Sequence, residues 1–160
     1  MTTAVAEKTP AEIKRDLAHF NGSGVFHQIN PFIDLVIGTD GIKYVATEMN
    51  ACWLVTDIAT TAFYLALYIK GMSSRNDLEN SSIVTHLATR EELTAELLQM
   101  QFWTLEVKED RTAVVECRAD SGRPVAVRME YTFTDFPLDE FRIWVANNGQ
   151  GMTLLLPSEY

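Results

Sequence analysis

Three histidines, two cysteines and one isolated aspartate are the side chains that could carry chemistry in this 160-residue sequence. His19, His27 and His86 each stand alone, with no second ligand at a zinc-type spacing such as CxxC or HxxxH. They read as solvated or capping groups. Cys52 sits beside Trp53 in an apolar run, and Cys117 sits within an alternating, strand-like segment. A reactive thiol needs nearby positive charge or a helix N-terminus, and Cys52 has only the second. Both cysteines read as buried, reduced thiols in a cytoplasmic setting, since no apolar leader segment follows Met1-Thr2-Thr3. No nucleophile elbow, phosphate loop or dinucleotide fingerprint is present, and "NGSG" follows a helical pattern, where it acts as a stop. The expectation is a non-enzymatic chain with no cofactor and no metal.

Asp57 is the only charge between Ala51 and Ile69. Together with Thr61, Tyr64 and Tyr68 it forms a half-polar stripe at helical spacing. One reading is a buried acid of raised pKa, lining a pocket with Tyr64 and Tyr68. The other is an early helical position facing solvent and favoured by the helix dipole.

The second constellation lies downstream. Glu106, Glu116 and Glu130 alternate with apolar neighbours and fall on the solvent side of predicted strands, alongside Arg118 and Arg128. Trp144 falls opposite Ile143 and Val145, next to Arg142, so it projects away from the apolar face. An outward tryptophan is a candidate anchor for a protein partner.

The elements that must hold these residues are legible from periodicity. Thr9-Pro10-Ala11-Glu12 is a capping box opening a helix with Ile13, Leu17 and Phe20 on one stripe. Leu35-Val36-Ile37 reads as a short strand or buried turn, Asp40 as the next cap, and Asn50 as a break before a long core helix ending at Gly71. "GMSSRNDLENSS" reads as a linker, and Thr89–Met100 as a further capped helix. After Gln101 the apolar period becomes two: "FWTLEVK", "TAVVECR", "VAVRMEYTF", "EFRIWVA" and "MTLLL", the last two joined by Asn147–Gly151. Trp103, Leu105, Val107, Ala113, Val115, Cys117, Val125, Val127, Met129, Tyr131, Phe133, Phe141, Ile143 and Val145 should face inward. The fold expected is α+β, one domain over residues 1–160, with helices (about 9–100) packed on an antiparallel meander of about five strands (about 101–157). The final leucines would then form its closing strand.

Net charge is −9, with 7 basic and 12 acidic side chains before residue 101 and 6 and 10 after it. That balance argues against duplex nucleic acid as a direct ligand. The run Ala51–Ile69 is near the length of a membrane span, but Thr56-Asp57 and Thr60-Thr61 at its centre make it a core helix.

Five segments, "TDGIKYVA", "WLVTDIA", "FWTLEV", "TDFPLDE" and "LLLPSEY", resemble a family of small uncharacterised bacterial, plasmid and phage proteins. The resemblance brings no catalytic residue with it. It implies an accessory protein of a mobile genetic element. The reading that follows is an acidic interaction protein, an anti-CRISPR-like inhibitor or nuclease antagonist. Its partner would be a basic nucleic-acid-handling complex, met through Trp144, Glu106, Glu116 and Glu130. The alternative is a small ligand-binding domain or enzyme with its pocket near Asp57, Tyr64 and Tyr68. A homo-oligomer joined through the outer sheet face or the last strand's free edge is a third.

Overall fold

The structure, a computed structural model, describes residues 8–22, 24–29, 35–81, 83–149 and 151–160. Its first helix, α1 (Pro10–Leu17), opens on the expected capping box: the Glu12 N–H donates to the Thr9 hydroxyl, and the Thr9 N–H to the Glu12 carboxylate. The next strands, β1 (His27–Gln28) and β2 (Val36–Gly38), form a short antiparallel pair. Helix α2 (Asp40–Thr47) follows at once. Its cap is Thr39 rather than Asp40, because the Thr39 hydroxyl accepts from the Ile42 N–H and Asp40 is already helical.

Helix α3 (Cys52–Ile69) starts after Asn50, whose left-handed backbone (φ 52°) breaks the chain direction. It ends at Gly71, also left-handed at φ 75°. There the N–H of Met72 reaches Leu67 O and that of Gly71 reaches Tyr68 O, the paired bonds that close a helix at a glycine. α3 is long and apolar enough to cross a membrane by length and composition alone. In this fold it is the core helix, with Leu54, Ile58, Ala59, Ala62 and Leu65 fully buried against the sheet and α2.

The sequence 71–82, expected as a linker, holds a short helix, α4 (Arg75–Ser81), seeded by Ser74 and Asp77; Ser82 lies outside the described residues. Strand β3 (Val84–Leu87) comes next. The helix expected over Thr89–Met100 is absent. Thr89 and Glu92 do pair, but the chain makes only a 3-10 turn at Ala95–Leu98 before entering β4. Burial explains this: Leu93 and Leu97 reach the core from turns, and Gln101 must already be extended to enter it.

Strands β4 (Met100–Val107), β5 (Ala113–Arg118), β6 (Val127–Tyr131), β7 (Glu140–Asn147) and β8 (Met152–Leu155) fall in the five expected segments. They do not form the expected meander: after β6 the chain crosses back to place β7 beside β4, and β6 pairs with β3 instead. The sheet is larger than five strands, however. Eight strands run in the order β1-β2-β8-β7-β4-β5-β6-β3, mostly antiparallel, with β2 parallel to β8. β8 is therefore interior, flanked by β7 and β2, and offers no free edge. Leu154, Leu155 and Leu156 are all buried, on both sides of the sheet, which stabilises the fold by roughly 1.5–3 kcal/mol each.

The inward register holds for Trp103, Leu105, Val107, Ala113, Val115, Cys117, Val127, Met129, Ile143 and Val145, all buried. Phe133 departs from it: β6 ends at Tyr131, and the Phe133 ring is 71% exposed. Cys117 is buried but Cys52 is exposed at the start of α3, so only one of the two thiols lies in the core.

Candidate functional site: the helix-free sheet face

Helices α2 and α3 cover one side of the sheet. The amide of Gln101 donates to Ala62 O of α3, the Thr61 hydroxyl meets the Met129 sulfur, and Tyr131 bonds Asp57, all on that side. Strand alternation sends the intervening residues to the other side, where no described α-helix packs. Trp144, Glu106, Glu116 and Glu130 all project there.

The strand register arranges this face in rows. One row is aromatic: Leu155, Trp144 and Phe102 are neighbours across β8, β7 and β4, and Arg118 of β5 ends the row. Trp144 meets Phe102 edge-on at 5.2 Å between ring centroids and the C-terminal Tyr160 at 5.6 Å. The next row, about 7 Å along the strands, holds Arg142, Thr104, Glu116 and Arg128. The third holds Glu140, Glu106, Val114 and Glu130.

The four glutamates of the face differ in kind. Glu116 is half-buried and bridges two arginines, Arg128 at 3.0 Å and Arg118 at 3.7 Å. Its charge is spent inside the face. Glu106 and Glu130 are exposed and make no ion pair among the described residues. Glu106 also stands directly opposite Glu140, a like-charge pair that costs the sheet stability. Glu140 is partly relieved by Arg142 at 3.2 Å. A groove of about 500 Å³ opens beside the aromatic row, between Phe102 and Trp144 on one wall and the Asp120–Gly122 turn on the other, with Arg118 and Arg142 at its sides.

Phe102, Glu140 and Tyr160 were not singled out from the sequence. The alternation that turned Trp144 outward also turns Phe102 and Glu140 outward, so that signal was present. Tyr160 carries none, because its position depends on how the tail folds.

Asp57, Tyr64 and Tyr68 part company. Asp57 is half-buried and accepts a 2.7 Å hydrogen bond from the hydroxyl of Tyr131, which Trp53 meets edge-on. Burial raises the carboxyl pKa above the usual aspartate range, and the tyrosine bond opposes that only in part. Burial and the neighbouring carboxylate push the Tyr131 phenol upward too. Tyr64 packs on Phe63, and Tyr68 is buried beneath the Arg90 guanidinium. Among the described residues no three histidine, cysteine, aspartate or glutamate side chains gather where they could hold a metal.

A model of a family of unknown function (DUF6876) matches residues 11–76 and 80–160. The chain belongs to this family. No curated protein and no solved structure matches it. Within this family member, two distant segments come together at the tail: "TDGIKYVA" supplies the N-terminus of α2, and "LLLPSEY" supplies the glutamate that closes it.

Proposed function

We propose that the protein is a non-catalytic interaction module whose helix-free sheet face binds a basic protein partner. The observation that carries this reading is the juxtaposition of an anchored aromatic row with a carboxylate row four residues along the same strands, relieved within the face only by the Arg142–Glu140 pair. A fold with no use for that face has no reason to keep Glu106 opposite Glu140 in register. A partner bringing lysine or arginine to that row relieves the repulsion, while Trp144 and Phe102 supply apolar contact area. The net charge of −9 adds long-range attraction to a basic surface and speeds encounter. The mobile-element resemblance of the sequence supports a particular partner class, a nucleic-acid-handling defence complex that the protein would block.

The test is capture and nuclease inhibition with purified defence nucleases at low and high salt. Inhibition that weakens with salt, falls in Trp144→Ala and falls further in Glu106→Lys/Glu130→Lys supports the proposal. Inhibition indifferent to those changes, or no complex at either salt, removes it.

A further inference from the structure

We propose a second, small-molecule site among the helices: the cavity between the β1–β2 pair and helices α2 and α3 takes an amphipathic anion, an aliphatic or aryl carboxylate. The space is about 480 Å³, within the range of small-ligand sites. Its apolar wall includes Ile42 and Val55, both buried, with Ile29 and Ala46. Phe26 lines it at 52% exposure and its neighbour Val25 stands 59% exposed, so water now covers apolar surface that a ligand body would cover instead.

The polar lining decides the head group. Lys43 lines the cavity and makes no ion pair among the described residues, in a chain with nine more negative than positive charges. His27 is already engaged by the Asp40 carboxylate at 2.8 Å. A cationic ligand would meet Lys43 as a like charge. A small hydrophilic anion would leave the apolar wall wet. A carboxylate on an apolar body satisfies both sides, with the head at Lys43 and the hydroxyl of Thr56 as a further donor, while the Thr47 hydroxyl already donates to Lys43 O. The Cys52 thiol also lines the cavity and is exposed, which provides a reporter at the site itself.

The experiment uses the full chain, with decanoate, decanol and inorganic phosphate as probes. Binding is followed by calorimetry and by the rate of Cys52 alkylation with iodoacetamide; buried Cys117 stays silent. Decanoate is expected to bind one site, to outbind decanol about five- to tenfold, and to slow alkylation as it saturates. Phosphate alone should not protect the thiol. Lys43→Gln should abolish the preference for decanoate while leaving decanol binding unchanged, and Ala46→Phe, which fills the cavity, should remove both. Equal affinity for decanoate and decanol, undiminished alkylation with decanoate bound, or a preference that survives Lys43→Gln would overturn the assignment. None of these readouts involves the sheet face, so this site and the protein-binding face stand or fall separately.

Discussion

The hydroxyl of Thr39 donates a 2.6 Å hydrogen bond to the carboxylate of Glu159, joining residues 120 positions apart. The same carboxylate accepts from the Gly41 N–H at 3.2 Å and the Leu156 N–H at 2.9 Å. An anion is thereby seated at the N-terminus of α2, where unpaired backbone N–H groups favour it. The tail beyond β8 is thus a latch, and it also places Tyr160 beside Trp144. We expect Glu159→Ala to cost about 1–3 kcal/mol, lowering Tm by about 2–4 °C per kcal/mol. Gly41→Ala should cost at least as much, since its added carbon would meet the Glu159 carboxylate and come within 2.6 Å of a Leu156 methyl. Calorimetric melting checks both. An unchanged Tm in Glu159→Ala would mean that the tail holds nothing.

Asp57 makes a pH prediction whose sign is fixed by burial. Its folded pKa is raised, so folding favours the protonated acid. That contribution is fully present below the unfolded pKa and is lost as pH rises through the folded one. Asp57→Asn keeps an acceptor for the Tyr131 hydroxyl without a half-buried charge. It should therefore melt higher than the parent at about pH 7, and the gap should close toward about pH 4, near the ordinary aspartate range. Tyr131→Phe, which leaves the carboxylate without its partner, should be destabilising, most of all at neutral pH. Thermal melts across that range decide it, and an Asn variant less stable at neutral pH would contradict the account.

The glutamates of the open face should separate binding from folding. Glu116→Ala frees Arg118 and Arg128 and leaves the Arg128 Nε, already buried without a partner among the described residues, in a poorer environment. It should cost about 1 kcal/mol. Glu106→Ala removes one member of a like-charge pair, so stability should hold within about 0.5 kcal/mol or rise slightly. Glu130→Ala should likewise be neutral. Urea unfolding of the three single variants gives the ranking. Were Glu106→Ala the most damaging of them, the carboxylate row would be structural and the interface proposal would lose its main support.

What the sequence made legible, and what it hid, divides along the range of the forces involved. The capping box at Thr9, the stop at Gly71 and the two-residue rhythm after Gln101 are local signals, and each corresponds to an element. The outward direction of Trp144 and the glutamates follows from the same rhythm. β1 and β3 are two and four residues long, too short for a period to show, and β2 is legible only as a short strand or buried turn at Leu35–Ile37. These strands exist because neighbours accept them: β2 lies against β8, and β3 against β6. The failed helix at Thr89–Met100 shows the opposite error. Its capping pair forms, yet the tertiary demand for an extended Gln101 prevails over local propensity. Asp57 found its partner 74 residues away, across the helix–sheet interface, where no helical stripe could reveal it.

Gln101 itself gives the sharpest test of the core. It is fully buried, its amide donates to Leu97 O at 3.2 Å and Ala62 O at 3.4 Å, and its carbonyl accepts from the Trp103 indole at 3.0 Å. One polar side chain thus ties the turn before β4, helix α3 and the largest buried ring together. Gln101→Leu should cost about 1–3 kcal/mol, because the Trp103 N–H loses its acceptor in a site closed to water. Trp103→Phe should cost a similar amount or more, since it both leaves the Gln101 oxygen unpaired and removes packed volume. The two losses share one hydrogen bond, so the double variant should fall short of their sum by about 0.5–3 kcal/mol. A double-mutant cycle in urea measures that coupling. Strict additivity would show that the amide and the indole act independently.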